Sequence, residues 1–185
     1  MDGDYTVSAR FVTEGSGTLF AKCMAEGKWS PNAKALFIRD GRLVFDIGWL
    51  GAVSGGPKVN DGKPHHVVLH VSNGDVELFL DGESVGKKRN FMAEDENDHV
   101  FKIGASAQDF GLDWEGGDLQ QIQFWKGGLR HLALSKLIQD ESIDKIKVQP
   151  GFEWQGATLE ETFNGDGVPG YPVALRVEGP VRIEE

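Results

Sequence analysis

The chain has 185 residues, enough for one domain with a sizeable core. Its formal net charge of −10 argues against a general phosphate-binding surface, so nucleic acid and anionic membranes are poor partners. Twenty-five glycines with few helical patterns point to a turn-rich all-β chain, the single cysteine excludes an internal disulfide, and no apolar run approaches the roughly 20 residues of a membrane helix.

Residues 5–12, YTVSARFV, place Tyr5, Val7, Ala9 and Phe11 on one side and Thr6, Ser8 and Arg10 on the other, the pattern of a half-buried strand. The preceding MDGD is acidic and leads straight into this strand, unlike a signal peptide. With the strand-like end VALRVEGPVRIEE, it suggests a module cut from a longer protein. EGSGT turns the chain into a second strand over residues 19–24, where Cys23 reads as a small buried apolar filler. AEGKWSPNAK is a loop by composition. Two strands follow around Asp40-Gly41, a two-residue hairpin signal, because a type I′ turn needs positive φ at both positions. Counting outward pairs Ile38 with Leu43 and Leu36 with Phe45, and Ile47 shares their face. The opposite face holds Phe37, Arg39, Arg42, Val44 and Asp46, a mixture suited to water or a ligand.

Residues 61–86, DGKPHHVVLHVSNGDVELFLDGESVG, carry two more such turns, Asn73-Gly74 and Asp81-Gly82. The first pairs Val71 with Val76, Leu69 with Leu78 and Val67 with Leu80 as a core face, leaving His66, Val68, His70, Glu77 and Phe79 opposite. His66 and His70 share a face, but four strand residues separate them by about 13 Å, too far to hold one metal ion, and His65 points the other way. The histidines therefore read as strand residues. Lys87, Lys88 and Arg89 form one short basic run, read as a solvated turn.

FMAEDENDH is an acidic loop, VFKIGAS a strand, AQDFGLDWEGGD a polar and aromatic loop, and LQQIQFWKG a further strand of ambiguous register. Residues 129–146 give the one helical pattern, with Leu129, Leu132, Leu137 and Ile138 on one side. The remaining residues return to strand and turn character. The expected organisation is a sandwich over residues 1–146 and an extension over 147–185 that packs on it and covers an edge.

Three stretches, YTVSARF, DGKPHHVVLHVSNGDVELFLDGESVG and GGDLQQIQFWKGGL, resemble the laminin-G-like domain family. The middle one is the most specific: the family commonly has DG-x-W-H-H-V-A-L, then a turn and L-x-L-Y-V-D-G, whereas this chain has Pro64 at the tryptophan position and Phe79 at the aromatic one. The resemblance spans about residues 5–140. It implies a concanavalin A-like jelly-roll β-sandwich of two antiparallel sheets, one concave and one convex, here with one short helix and a C-terminal β extension. It also implies attachment to large secreted bacterial enzymes that degrade polysaccharide, hence an extracellular or periplasmic setting. Fold alone does not fix function.

Some jelly-roll relatives are glucanases, which need two carboxylates about 5.5 Å apart on a strand face, written as E-x-D-x-x-E. Here DLQQIQF offers glutamines, and DVELFLDGE offers Glu77, Asp81 and Glu83 with Asp81 in a turn. No phosphate loop, nucleophile elbow or metalloprotease motif occurs. The expectation is a binding module and not an enzyme.

Sugar-binding modules stack flat aromatic rings on pyranose faces and bond hydroxyls with charged and amide side chains. Trp29 in EGKWSPN, Trp49 in DIGWLGA and Trp114 in GLDWEGG lie among polar or glycine residues, and Arg39 and Asp46 occupy the non-core face of the first hairpin. These five are the candidate carbohydrate-binding residues. Competing assignments are core packing for Trp49, which continues the parity of Leu43, Phe45 and Ile47, and a surface ion pair for Arg39 and Asp46. Trp125 reads as core. No cofactor is required. A structural calcium ion is the other candidate ligand, since such modules often hold one through carbonyls and carboxylates. The family's acidic pair in the last strand corresponds here to Gln120 and Gln121, leaving Asp95, Glu96 and Asp98, or Asp109 and Asp113, as oxygen sources.

The expected function is a non-catalytic carbohydrate-binding module from a larger secreted bacterial protein, with a polysaccharide or oligosaccharide and the parent's other domains as partners. The alternative is a structural or protein-interaction domain with no glycan site. Exposed, adjacent Trp29 and Trp114 rings favour the first, and buried, separated rings the second.

Overall fold

The computed structural model describes residues 1–110, 112–129, 131–139 and 174–178. In chain order these form β1 (Tyr5–Thr13), β2 (Gly17–Met24), β3 (Lys34–Arg39), β4 (Arg42–Ile47), β5 (Gly51–Gly55), β6 (Pro64–Ser72), β7 (Asp75–Leu80), β8 (Glu83–Lys88), β9 (His99–Ile103), β10 (Gly117–Lys126), α1 (His131–Ile138) and β11 (Ala174–Glu178). No described helix is long and apolar enough to cross a membrane.

Two antiparallel sheets result, in the concanavalin A-like sandwich arrangement. The first runs β11-β10-β1-β6-β7-β8, the second β5-β4-β3-β2-β9. The three dipeptide turns set the local register. Asp40 and Gly41, Asn73 and Gly74, and Asp81 and Gly82 all have positive φ, as type I′ geometry demands. Ile38 accordingly faces Leu43 and Leu36 faces Phe45, while Val71, Leu69 and Val67 face Val76, Leu78 and Leu80. In β10, Leu119, Ile122 and Phe124 turn inward, and a register shift between Arg10 and Phe11 of β1 absorbs the irregular alternation.

The inward faces meet in one core that includes Tyr5, Val7, Phe11, Phe20, Leu36, Ile38, Phe45, Leu69, Leu78 and Phe124. Burying this much apolar surface drives the sheets together, at about 25 cal/mol per Å². Along one side β5 and β8 approach so closely that a Cβ on Gly55 would collide with the Val85 carbonyl, which is why glycine stands there.

Helix α1 lies across the outer face of the first sheet. Leu137, Leu129, Trp125 and Val68 form a buried cluster there, with Phe79, Ala133, Leu134 and Ile138 against it. Trp125 is thus buried, but outside the inter-sheet core. The Leu129 N–H donates to Thr6 Oγ1 at 3.0 Å, fastening the approach to the helix. The helix expected over 129–146 is described as far as Ile138, and its remainder lies outside the described residues. Of the expected extension over 147–185, the described part is β11, which pairs with β10 at the sheet edge.

The three histidines serve the strands. His66 Nε2 lies 2.8 Å from Ser8 Oγ, and His70 Nδ1 lies 2.9 Å from Thr6 Oγ1, so each engages a hydroxyl of β1. His65 sits on the other face, with its ring nitrogens 2.7 Å from Asp81 and 3.1 Å from Asp61. That clasp ties the loop before β6 to the turn after β7.

Candidate functional site

The outer face of the second sheet divides into a covered and an open half. The covered half is a strip of small residues, Ala21, Cys23 and Ala35, over which the loop between β9 and β10 folds with Ala107, Phe110 and Leu112. Cys23 is therefore a buried filler beneath this loop, and burial raises its pKa. The loop is held by its backbone: Trp114 N–H donates to the Gly104 carbonyl at 2.7 Å, and Thr18 N–H and hydroxyl both donate to that of Leu112, at 2.8 and 2.6 Å.

The open half carries Arg39, Val44, Asp46, Ala52 and Ser54, which strand alternation points away from the core. The loop edge forms a wall along it. Phe110 meets Phe37 edge-on at 4.9 Å and Trp29 at 4.4 Å between ring centroids. The Arg39 guanidinium lies over Phe37 at 4.8 Å and 5.8 Å from Phe110, a cation–π arrangement that fixes its plane. The Trp29 N–H donates to Asp109 at 2.6 Å, and its indole nitrogen lies beside Gly48. One residue on, Trp49 stands at the tip of the β4–β5 turn.

Trp49 is 72% exposed, with Leu50 beside it also exposed. This corrects the core assignment that strand parity suggested. The strand ends at Ile47, so parity no longer applies, and Trp49 adopts φ 65° instead. A bulky aromatic in the left-handed region is strained by about 1–3 kcal/mol. Trp49→Gly is therefore expected to stabilise the fold by about 1 kcal/mol despite the flexibility of glycine in the unfolded chain, read as a higher Tm. An unchanged or lower Tm would mean the turn holds Trp49 through contacts that offset the strain.

Arg42, opposite Arg39 in register on this face, donates to the Gly56 carbonyl. Among the described residues neither Arg39 nor Asp46 makes a hydrogen bond or a direct ion pair. The surface ion pair suggested by the sequence is thus replaced by stacking. Burial raises the Asp46 pKa, against the opposing pull of Arg39 and Lys88. Lys88 itself is engaged, donating to the Ala52 carbonyl at 3.3 Å and lying 4.0 Å over Phe91. Its neighbour Lys87 pairs with Glu77 at 2.6 Å, so the basic run is split between the two sheets' edges.

Four candidates, Trp29, Arg39, Asp46 and Trp49, thus belong to one face and its adjoining turn. Trp114 joins a different cluster, edge-on to Phe11 at 5.8 Å, with its indole N–H donated to the Gly117 carbonyl at 2.9 Å. Trp29 and Trp114 are both half-buried and packed in separate places, so they do not form the adjacent exposed pair. Phe110 was not among the sequence candidates. Its signal was an aromatic in a glycine-containing polar loop, meaningful only once that loop folds over Phe37.

Three of the five carboxylates weighed for calcium have other partners. Asp95 lies 2.5 Å from the fully buried ammonium of Lys34, Glu96 accepts from the Asn32 amide at 2.7 Å, and Asp109 accepts from Trp29. Among the described residues no group of three or more His, Cys, Asp and Glu side chains gathers as metal ligands. Of the acids considered for catalysis, Glu77 is paired with Lys87 and Asp81 with His65.

The model of the concanavalin A-like lectin/glucanases superfamily matches residues 2–132. No curated protein matches the sequence. Solved structures with a similar fold include a Ruminococcus gnavus IT-sialidase CBM40 bound to α2,3-sialyllactose, 15% identical over 76% of this chain and 83% of that one, TM-score 0.63. Domain 4 of AbnA, a GH43 extracellular arabinanase from Geobacillus stearothermophilus in complex with arabinotriose, is 20% identical over 75% and 66%, TM-score 0.56. Domains LG4-5 of the mouse laminin alpha1 chain are 22% identical over 66% of this chain and 35% of that one, TM-score 0.53. The match thus spans about a third of the laminin chain. At these identities the likeness is one of fold.

Proposed function

Because this chain belongs to the concanavalin A-like lectin/glucanases superfamily, we propose that it is a non-catalytic carbohydrate-binding module of a larger secreted bacterial protein acting on polysaccharide. The carrying observation is the Arg39 guanidinium, held flat over Phe37 and Phe110, beside a half-buried Asp46; among the described residues neither makes a hydrogen bond or a direct ion pair. A sugar hydroxyl both donates and accepts, so one ring can satisfy the two groups together. Fixing the guanidinium in advance lowers the entropy cost of binding. Trp49 and Trp29 supply flat apolar surface for the C–H face of a sugar. The fold is shared with modules whose solved complexes contain sialyllactose and arabinotriose, which favours an oligosaccharide ligand. The setting is extracellular or periplasmic, and the other domains of the parent chain are the remaining partners.

Affinity gel electrophoresis across soluble polysaccharides, with and without calcium, tests this reading. At least one polysaccharide is expected to retard the wild type, and Arg39→Ala to weaken that retardation tenfold or more, about 1.4 kcal/mol. Trp114→Ala is expected to leave retardation in place. If no polysaccharide retards the wild type, the glycan reading fails. The structural or protein-interaction reading then takes its place, favoured by the exposed Trp49–Leu50 pair, since aromatic anchors are common hot spots of protein interfaces.

A further inference from the structure

The open shelf has a length, a charge balance and a shape, and together they narrow the ligand class. The length comes from the strand register. Phe37 pairs with Val44, so the Arg39 guanidinium, lying over Phe37, stands near that rung. Asp46 is two residues further along β4, the strand ends at Ile47 about 10 Å from that rung, and Trp49 stands in the turn beyond, so the guanidinium and the exposed indole are on the order of 10 Å apart or more. One sugar ring cannot reach both Arg39 and Trp49. Trp29 and Phe110 form the wall between, and the indole of Trp29 lies beside Gly48.

The charge balance turns on two groups. Among the described residues Arg39 and Asp46 face the shelf with no hydrogen bond or direct ion pair, whereas Arg42, opposite Arg39 in register, donates to the Gly56 carbonyl, and Lys88 is occupied by the Ala52 carbonyl and the Phe91 ring. An anionic ligand would satisfy Arg39 but bring a second negative charge against a carboxylate already penalised by burial. Hydroxyl groups satisfy both without that conflict. The shape is unwalled at both ends and along the β5 side. Asp40 and Arg42 are exposed at one end, Trp49, Leu50 and Gly51 at the other, and Ala52 and Ser54 along the margin. Among the described residues neither end carries a wall that would stop a chain.

Building on the glycan reading above, we propose that this shelf takes an internal stretch of an uncharged linear polysaccharide, one sugar hydrogen-bonded between Arg39 and Asp46 and another, further along the chain, stacked on Trp49. The two subsites lie on one strand and its turn, so their contributions combine through the linkage between the sugars.

Calorimetric titration with size ladders of arabino-, xylo-, cello- and manno-oligosaccharides, from two to six residues, tests it beside a ladder of oligogalacturonates. Affinity for a neutral ladder is expected to rise at least tenfold from the dimer to the pentamer, and to survive reduction of the terminal sugar to its alditol. Trp49→Ala is expected to erase the gain with length while leaving the weak binding of short members. Asp46→Asn and Arg39→Ala are expected to weaken all lengths alike. Both Trp49 and Arg39 are exposed, so these variants keep the fold, which a thermal melt verifies. Binding that is as tight for the dimer as for the hexamer, that needs an unmodified chain end, or that prefers the oligogalacturonates overturns this inference and leaves the glycan reading standing. Absence of binding by every ladder overturns both.

Discussion

Replacing Lys34 by methionine is expected to cost the fold about 3–5 kcal/mol, the range for removing one partner of a buried ion pair. Lys34 occupies a core-parity position of β3, in line with Leu36 and Ile38, and is fully buried. Its ammonium is 2.5 Å from Asp95 and donates to the carbonyls of Asn32 at 3.2 Å and Glu94 at 3.4 Å. Burial alone would raise the Asp95 pKa, but the hydrogen bonds and charges of Lys34 and the Met1 ammonium hold it below its ordinary value. Methionine fills much of the same space and removes the charge, so Asp95 is left in a poorly solvated place with the Met1 ammonium as its remaining cationic partner. The acidic loop is then held by that ion pair and by contacts such as Asn32 to Glu96. Urea denaturation at pH 7 reads the loss. The double variant Lys34→Met/Asp95→Leu is expected to recover only part of it, because a buried pair exchanged for apolar residues is often near neutral in stability but the Met1 ammonium also loses Asp95. A single-variant loss below about 1 kcal/mol would show that Asp95 finds water easily, and that the pair is a surface feature in energetic terms.

Acidification from pH 7.5 to 4.5 is expected to remove most of a further contribution of about 3 kcal/mol, traceable to His66. Burial first, and then the nearby charge of Arg10, push its pKa down to about 4, against the opposing pull of Asp81. In the unfolded chain the imidazole titrates near 6.5. Between those values the unfolded state binds more protons than the folded one, so stability is fully present above about 6.5 and falls as pH drops towards 4. His70 and His99 are lowered as well, mainly by burial, and act in the same direction. Asp46, raised by burial, opposes them just above its ordinary value. Urea midpoints across this range test the account, with His66→Gln as the comparison. Glutamine retains a group able to bond Ser8 but does not titrate, so its pH profile is expected to be flatter. Wild-type stability that is equal at the two pH values would contradict a neutral buried His66.

The strand register that lays His66 against β1 also keeps it apart from His70. The stretch PHHVVLH sets alternate residues on opposite faces, and β1 lays one hydroxyl against His66 and another against His70. Spacing along the strand was enough to separate the two rings, whereas the identity of their partners depended on a neighbouring strand from a distant part of the chain.

Much of this molecule was legible because its signals are local. Period-two alternation and positive-φ dipeptides act over a few residues, so the hairpins of β3 with β4 and β6 with β7, their registers and their core faces followed from sequence alone. The same rules separated Arg39 and Asp46 from Leu36 and Phe45. Alternation misassigned Trp49, because it holds only while the strand continues and the strand stops at Ile47. Tertiary structure decided what lies over each outer face: α1 on Trp125 and Val68, and the loop of Phe110 on Ala21, Cys23 and Ala35. It also decided that Arg39 stacks and leaves Asp46 unpaired, that Trp114 belongs with Phe11, and that Lys34 is buried against Asp95. Each of these depends on segments far apart in the chain meeting across a sheet face, and no short-range pattern encodes which distant segment arrives.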